Sequence, residues 1–268
     1  MTGVLQRWWR CPAPAVDAAV ADRPERRAIR IELAIVLLLT YGASAASAGL
    51  VLIDAAVSDG GIGGATVALN ARRSSVEAID FGHQLLAAVR LCAIAGLALY
   101  LLWRSGAGPR LIGLARARVR PDLTHGVALA ALIGLPGLGL YLLARATGLA
   151  AEVVPAEADG HWWRLPVLAL SAVANSAAEE TVVVAYLLLR LRALGWSTGR
   201  ALAASALLRG AYHLYQGIGA GLGNVVMGLV FGRYWQVTGR LWPLLIAHAL
   251  IDLVAFVGYA LLADHLPW

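Results

Sequence analysis

Ionisable and amide side chains are concentrated in the C-terminal half of an otherwise apolar chain. They are Glu179, Glu180, Arg209, His213, His248 and Asp252, accompanied by Asn175, Gln216 and Asn224. They lie within apolar segments, where burying a charged side chain costs about 2.5–3.5 kcal/mol on an insertion scale, so they are functional candidates. Carboxylates and imidazoles together suit peptide hydrolysis, because a carboxylate can take a proton from water while an imidazole orients that water.

The same groups could instead hold a zinc ion whose bound water is the nucleophile, since His and carboxylate side chains are zinc ligands. Glu179, His213 and His248 are the ligands expected in that case. The chain has no His-Glu-x-x-His sequence and no Cys-x-x-Cys sequence, and its two cysteines are Cys11 and Cys92. A zinc mechanism and a mechanism without a cofactor therefore both stay open.

Spacing and depth suggest that the polar groups meet. Arg209 and His213 are four residues apart, as are His248 and Asp252, so each pair shares one face of a helix. Glu179 and Glu180 are consecutive, so only one of them can point at a common centre, and the other needs a donor on a neighbouring helix. At about 1.5 Å per residue, all these groups fall roughly 10–18 Å from their helix ends, in one slab of the membrane.

The elements that position these residues are predicted from composition and apolar runs. The chain has 268 residues, 60% hydrophobic and 14% charged, whereas soluble domains average about 45–50% apolar and about 25% charged. Seven apolar segments are predicted to cross the bilayer. They cover about 33–53, 85–103, 126–144, 165–189, 201–215, 222–235 and 241–262. The sequence therefore predicts an all-α membrane helix bundle of about seven transmembrane helices, with an active-site cavity in the C-terminal helices.

The arginines set the expected orientation. All 22 basic residues are Arg. With the N-terminus in the cytoplasm, sixteen lie in cytoplasmic stretches and four, including Arg72 and Arg145, lie outside, while Arg90 and Arg209 fall within spans. This asymmetry follows the positive-inside rule and indicates a multi-pass cell-membrane protein. We expect the first span to be retained rather than cleaved as a signal peptide, because its apolar run continues to Ile53.

Three motifs resemble those of the CPBP intramembrane proteases, which are related to the type II CAAX prenyl endopeptidases. Glu179-Glu180, followed by Tyr186-Leu187, is similar to the family's Glu-Glu-x-x-x-Arg segment. The segment 209–217, which includes His213, is similar to its Phe-x-x-x-His segment, and 248–252 is similar to its His-x-x-x-Asn/Asp segment. The resemblance covers about residues 165–262, and the order and spacing of the motifs agree with the family's.

The resemblance implies an all-helical fold in which hydrolysis takes place within a membrane cavity. It implies that Glu179 is the general base for water and that His213 shares in holding that water. It further implies that His248 and Asp252 bind the oxyanion or the substrate carbonyl, and that Glu180 supports the site. The family is often described as metalloproteases, but its geometry also suits a glutamate mechanism without metal, which we favour.

Two positions depart from the family pattern. Val184 stands where the family has Arg, and Arg209 stands where it has Phe. One positive charge is thus missing from the fourth predicted span and one is added in the fifth. We therefore predict that Arg209 compensates by pairing with Glu180 across the helix interface. Asn224 is a further supporting candidate, although the surrounding Gly residues equally indicate close helix packing.

The leading hypothesis is an intramembrane endopeptidase that acts on membrane-associated or lipid-modified protein or peptide substrates. One alternative is a non-catalytic protein of the same fold that works through protein partners, for example in bacteriocin immunity. A small secondary transporter is less favoured, because no second half of the chain repeats the first. Membrane lipids are expected partners, and nucleic acid is not. We divide the chain into a basic cytoplasmic segment (1–28), N-terminal transmembrane helices and loops (29–164) and a catalytic core (165–262).

Overall fold

The computed structural model describes residues 19–156 and 161–262. The helices are α1 Arg23–Leu39, α2 Tyr41–Val57, α3 Gly61–Gly64, α4 Glu77–Arg104, α5 Val119–Ala146, α6 Arg164–Glu179, α7 Leu187–Ala193, α8 Thr198–Tyr212, α9 Ile218–Thr238, α10 Trp242–Leu253 and α11 Tyr259–Leu262. Glu180–Tyr186 and Val254–Gly258 are π-helical, and Leu214–Gln216 is a 3₁₀ turn. Two short strands, β1 Thr66–Asn70 and β2 Glu152–Ala156, form a parallel pair. The prediction of an α-helical bundle is confirmed, with this two-stranded sheet as an addition. Most of the predicted segment 1–28 lies outside the described residues.

Local sequence signals explain where several helices begin. Asp22 caps α1 by accepting a hydrogen bond of 3.1 Å from the backbone N–H of Glu25, and a proline follows in the first turn. Ser197 caps α8 in the same way through the N–H of Arg200. Pro243 occupies the first turn of α10. A side-chain acceptor satisfies a free N–H at a helix start, and proline has no N–H to satisfy there.

The first predicted span is not one straight helix. α1 and α2 are bent by 47° at Thr40, whose backbone leaves the helical region with φ −131° and ψ −119°. The Thr40 hydroxyl donates a hydrogen bond of 2.6 Å to the carbonyl of Val36. The bend brings the chain so close to itself that a Cβ at Gly42 would lie 2.6 Å from the carbonyl oxygen of Leu37. The predicted span 33–53 therefore falls on a helix pair that is bent at Thr40 and can still count as one broken span, and Gly42 was the sequence signal for the break.

The number of membrane spans stays a prediction. In the described residues, four helical stretches are long and apolar enough to cross a bilayer: Glu77–Arg104, Val119–Ala146, Arg164–Ala193 and Trp242–Leu261. A fifth results if α1 and α2 count as one broken span. The predicted segment 201–215 also extends too far, because α8 ends at Tyr212 and the chain then turns.

The connections between helices gather at two ends of the bundle. At one end, Arg26 donates to the carbonyl of Leu194, and Arg190 donates to the carbonyl of Leu101 and to Glu32. At that same end, Arg240 pairs with Asp122 at 2.5 Å. We call this the arginine end. At the other end, β1 pairs with β2, Ala150 bridges to Gly217, and Arg164 donates to the carbonyl of Asn70. We call this the sheet end.

The helix that carries the two adjacent glutamates is the centre of the bundle. In the most apolar stretch of Arg164–Ala193, 72% of the residues are buried inside the protein, against 22% in α4 and 11% in α5. Its π-helical segment is buried throughout, and the hydroxyl of Ser205 donates a hydrogen bond of 2.6 Å to the carbonyl of Val183 within it. π-Helical turns are rare and are often found at functional sites. Here the turn begins at Glu180.

Glycines allow α8 and α9 to approach closely, which positions Arg209. A Cβ at Gly228 would lie 2.8 Å from the Cα of Ala206, and one at Gly210 would lie 2.7 Å from the carbonyl oxygen of Gly221. The contacted atoms belong to the backbone, so a side chain at either glycine would force the two helices apart. The prediction of close helix packing around these glycines is confirmed, and it agrees with the use of small residues at membrane helix interfaces.

Candidate active site

The two adjacent glutamates are both buried but have different surroundings. Glu180 is 0% exposed and Glu179 is 4% exposed. Oε1 of Glu180 accepts hydrogen bonds from Nη2 of Arg209 at 2.7 Å and from Nδ1 of His248 at 2.6 Å. Oε2 of Glu179 accepts a hydrogen bond of 2.5 Å from the hydroxyl of Tyr212. Each glutamate keeps one oxygen without a hydrogen bond among the described residues, Oε2 in Glu180 and Oε1 in Glu179, but that of Glu180 is completely buried. Glu180 is bound by two donors through its other oxygen, whereas Glu179 has one hydrogen bond and a small exposed fraction.

Arg209 links the two carboxylates. Its Nη1 lies 3.5 Å from Oε2 of Glu179, while its Nη2 pairs with Glu180. The guanidinium also lies 5.8 Å from the ring centroid of Phe231 and 3.8 Å from the sulfur of Met227, both on α9. The predicted pairing of Arg209 with Glu180 is confirmed. Two adjacent buried carboxylates repel each other, and a shared arginine offsets that repulsion.

His248 and Asp252 extend the network along α10. Nε2 of His248 lies 3.6 Å from Oδ2 of Asp252, and that oxygen accepts a hydrogen bond of 2.9 Å from the amide of Asn175 on α6. The hydroxyl of Ser176 also joins α6 to α10 by donating to the carbonyl of Leu245 at 2.7 Å. The imidazole of His248 therefore lies between two carboxylates, Glu180 on one side and Asp252 on the other.

His213 occupies the end of α8, next to this network. Its Nδ1 is 2.9 Å from the carbonyl oxygen of Arg209. Because a carbonyl can only accept, Nδ1 carries the proton, and in the neutral ring Nε2 is the nitrogen with a free lone pair. The ring lies between those of Tyr212 and Tyr215, with centroids 4.6 and 6.4 Å away. His213 is held in one orientation beside the tyrosine that contacts Glu179.

Most of the sequence-predicted site residues come together. Glu179, Glu180, Arg209, His248 and Asp252 belong to one network of contacts, and His213 adjoins it through the Arg209 carbonyl. Asn224 does not join this network in the described contacts, because its amide donates to the carbonyl of Ala220 in its own helix at 3.1 Å.

Sequence reasoning missed Tyr212, although it immediately precedes His213 in the second motif. It also missed Tyr41, whose ring packs against that of Tyr212 with centroids 4.8 Å apart. Tyr41 is buried, and its hydroxyl has no hydrogen-bond partner among the described residues. Tyr41 follows the break at Thr40, so only the bent first span brings this ring to the site.

The donor arrangement does not fit a metal ion. Among residues 19–156 and 161–262, no three His, Cys, Asp or Glu side chains are grouped so that they could hold one. Of the expected zinc ligands, His248 directs Nδ1 at Glu180 and His213 directs Nδ1 at a carbonyl. These hydrogen bonds leave only Nε2 of each ring as a possible ligand, and among the described residues the Nε2 atoms are not grouped with the further donors that an ion needs, so we derive no step through a metal.

A groove of about 650 Å³ lies beside the site, between α2 and β1. It is lined by α2, by β1 and by Tyr212 and Tyr215. Because Tyr212 lines the groove and its hydroxyl contacts Glu179, one side chain separates the groove from the less enclosed of the two glutamates.

Comparison with known proteins gives a family match over part of the chain. Residues 161–254 match a family model described as "Type II CAAX prenyl endopeptidase Rce1-like". The matched range contains all the ionisable residues of the network and His213. No curated protein and no solved structure matches the chain significantly.

Proposed function

We propose that the protein is an intramembrane endopeptidase in which Glu179 activates water, and the match of residues 161–254 to the Rce1-like type II CAAX prenyl endopeptidase model supports this proposal. The observation that carries this proposal is the unequal environment of the two glutamates. Glu180 is held by Arg209 and His248, and its one unbonded oxygen is completely buried, whereas Glu179 has a single hydrogen bond, an unbonded oxygen and a small exposed fraction. A general base needs both an available lone pair and access to water.

The proposed reaction begins with a water held by Oε1 of Glu179 and Nε2 of His213. Glu179 takes a proton from this water as the water oxygen attacks the carbonyl carbon of the scissile peptide bond. The carbonyl oxygen becomes an oxyanion, and we assign its stabilisation to Nε2–H of a doubly protonated His248. Nδ1–H of this ring is bonded to Glu180, and Nε2, at 3.6 Å from Oδ2 of Asp252, keeps its hydrogen for the oxyanion. Glu179 then gives its proton to the departing amine, so the carboxylate is restored and one water has been consumed.

Tyr212 and Arg209 have positioning roles in this scheme. The Tyr212 hydroxyl fixes Oε2 of Glu179 and leaves Oε1 free for water. Arg209 pairs with Glu180 and holds it in place, and Glu180 in turn holds Nδ1 of His248. Fixed donors in a site that excludes bulk water need little reorganisation during the reaction.

The proposed substrates are membrane-associated or lipid-modified proteins or peptides, and the proposed setting is a cell membrane with the N-terminus in the cytoplasm. The arginine asymmetry supports this orientation. In it, the arginine end faces the cytoplasm and the groove opens toward the opposite side.

Purified protein in detergent, incubated with quenched fluorescent peptides with and without a C-terminal prenyl group, tests the activity. We expect cleavage by the wild-type protein and none by Glu179→Gln. Glu25→Gln is the matched control, because Glu25 is an exposed glutamate in the first turn of α1 and its loss should leave turnover unchanged. No cleavage of any peptide by the wild-type protein, or equal cleavage by Glu179→Gln, would contradict the proposal.

A further inference from the structure

The groove at the sheet end has two unlike walls. One is a face of α2 formed by Ser44, Ser47 and Val51, which recur at helical spacing. The other is the start of β1, at Thr66 and Val67. Its volume of about 650 Å³ lies within the range of roughly 300–1,000 Å³ that is typical of ligand sites. Both walls precede residue 161, so they lie outside the segment that matches the endopeptidase family.

The strand wall offers backbone hydrogen-bonding groups. β1 pairs with β2 on one side, and no second strand pairs with it among the described residues. The carbonyl of Ala65 accepts from the N–H of Glu152 and therefore faces β2. Backbone groups alternate in direction along a strand, so the N–H and C=O of Thr66 and of Ala68 face the unpaired edge. Tyr141 supports this alternation, because its hydroxyl accepts from the N–H of Val153 on the far side of β2.

An unpaired strand edge favours the binding of an extended polypeptide. Such an edge binds another chain by main-chain hydrogen bonds, which a lipid acyl chain cannot form. The opposite wall has small side chains at Ser44 and Ser47, which leave room for a chain to lie along the strand. Tyr212, whose hydroxyl contacts Glu179, also lines the groove. A chain lying in the groove would therefore be one side chain away from the proposed catalytic carboxylate.

We propose that this groove binds the substrate as an extended peptide, paired to the free edge of β1 and covered by the small-residue face of α2. The inference rests on the proposed function, because it assigns the peptide in the groove as the substrate. It also assigns a substrate-binding role to the N-terminal part of the chain, which the family match does not cover.

If the wild-type protein cleaves a peptide, a substitution that fills the groove tests the inference. Ser47→Trp places a large side chain in the groove, and we expect at least a tenfold loss of kcat/KM, since a blocked site prevents substrate alignment. Leu50→Trp is the control, because Leu50 is an exposed residue of the same helix, at 69% exposure, and does not line the groove. Equal kcat/KM for Ser47→Trp and Leu50→Trp would overturn the inference while leaving the proposed function intact.

Removing a single edge donor tests the strand pairing. Thr66→Pro deletes one N–H at the unpaired edge, and Ala65, with φ −78° and ψ 146°, already has a backbone conformation that a following proline accepts. We expect KM to rise about threefold to tenfold with kcat nearly unchanged, as for the loss of one hydrogen bond. Thr66→Ala keeps the N–H and should behave like the wild type. An unchanged KM in Thr66→Pro would overturn the pairing.

Photocrosslinking detects peptide binding directly, and it requires neither turnover nor the Ser47→Trp variant. A benzoylphenylalanine at Val51, in the Glu179→Gln background, should crosslink to a labelled peptide substrate, and the same probe at Leu50 should not. Excess unlabelled peptide should abolish the crosslink. If phospholipid abolishes it instead, or if both positions crosslink equally, the groove is not a peptide site. If the crosslink forms but the wild-type protein never cleaves, the proposed function fails and the peptide-binding groove remains.

Discussion

The guanidinium of Arg209 lies 2.7 Å from Oε1 of Glu180, and both side chains are fully buried. Breaking a buried ion pair by removing one partner typically costs about 3–5 kcal/mol, because the remaining charge is left uncompensated. Arg209→Met should therefore lower the free energy of unfolding by about that amount, while Arg30→Met, at an exposed arginine of α1, should change it little.

A double-mutant cycle separates this pairing from simple packing. Adding Glu180→Gln to Arg209→Met removes both charges and should recover part of the lost stability, which a thermal or denaturant melt in detergent can measure. If the two substitutions are additive, the pair is not coupled and our account of the departure at Val184 is wrong.

The hydroxyl of Tyr212 should be needed for turnover but not for folding. Tyr212→Phe keeps the ring contacts with Tyr41 and His213 and removes only the hydrogen bond to Glu179. Hydrogen bonds to charged groups are worth about 1.5–3 kcal/mol, so kcat should fall roughly tenfold to a hundredfold. Tyr100→Phe, at a half-exposed ring on α4, is the control. A wild-type kcat for Tyr212→Phe would contradict the positioning role of this tyrosine.

Activity should survive metal removal. The described His and carboxylate side chains do not form a group that could hold a metal ion, and the proposed base is a carboxylate. Exhaustive dialysis against a chelator, with metal content measured by mass spectrometry, should leave the cleavage rate unchanged. A rate that is lost on dialysis and restored by zinc would show that the ligands rearrange around an ion and would contradict the metal-free mechanism.

The proposed orientation predicts which loops are accessible from outside the cell. In a Cys11→Ala, Cys92→Ala background, Ser58→Cys at the sheet end and Ser105→Cys at the arginine end are a matched pair of exposed serines. A membrane-impermeant thiol reagent should label Ser58→Cys in intact cells, and Ser105→Cys only after permeabilisation. The reverse pattern would invert the topology and turn the groove toward the cytoplasm.

The helical architecture and the candidate site residues that lie together could be predicted from sequence because their signals are local. Apolar runs indicate helices, and an ionisable residue within such a run is costly enough to indicate function. The pairing of Arg209 with Glu180 was also predictable, since an added charge in one span and a missing charge in another require compensation.

Other features depend on which distant segments meet, and no local pattern encodes that. β1 and β2 are five-residue strands separated by two helices, and neither has a clear alternation of apolar and polar residues. The contact between Tyr212 and Glu179 depends on the packing of α8 against the π-helical segment. Tyr41 reaches the site only because the chain bends at Thr40, where Gly42 was the single signal.

The catalytic role of Glu179 is the central claim, and its most direct test is the rate of peptide hydrolysis at saturating substrate in Glu179→Gln. The variant should melt near the wild-type temperature, because Gln keeps an acceptor for the Tyr212 hydroxyl. Its kcat should be about 10²–10⁴-fold lower, as expected for the loss of a general base. A folded Glu179→Gln protein that hydrolyses peptide at close to the wild-type rate would contradict the account.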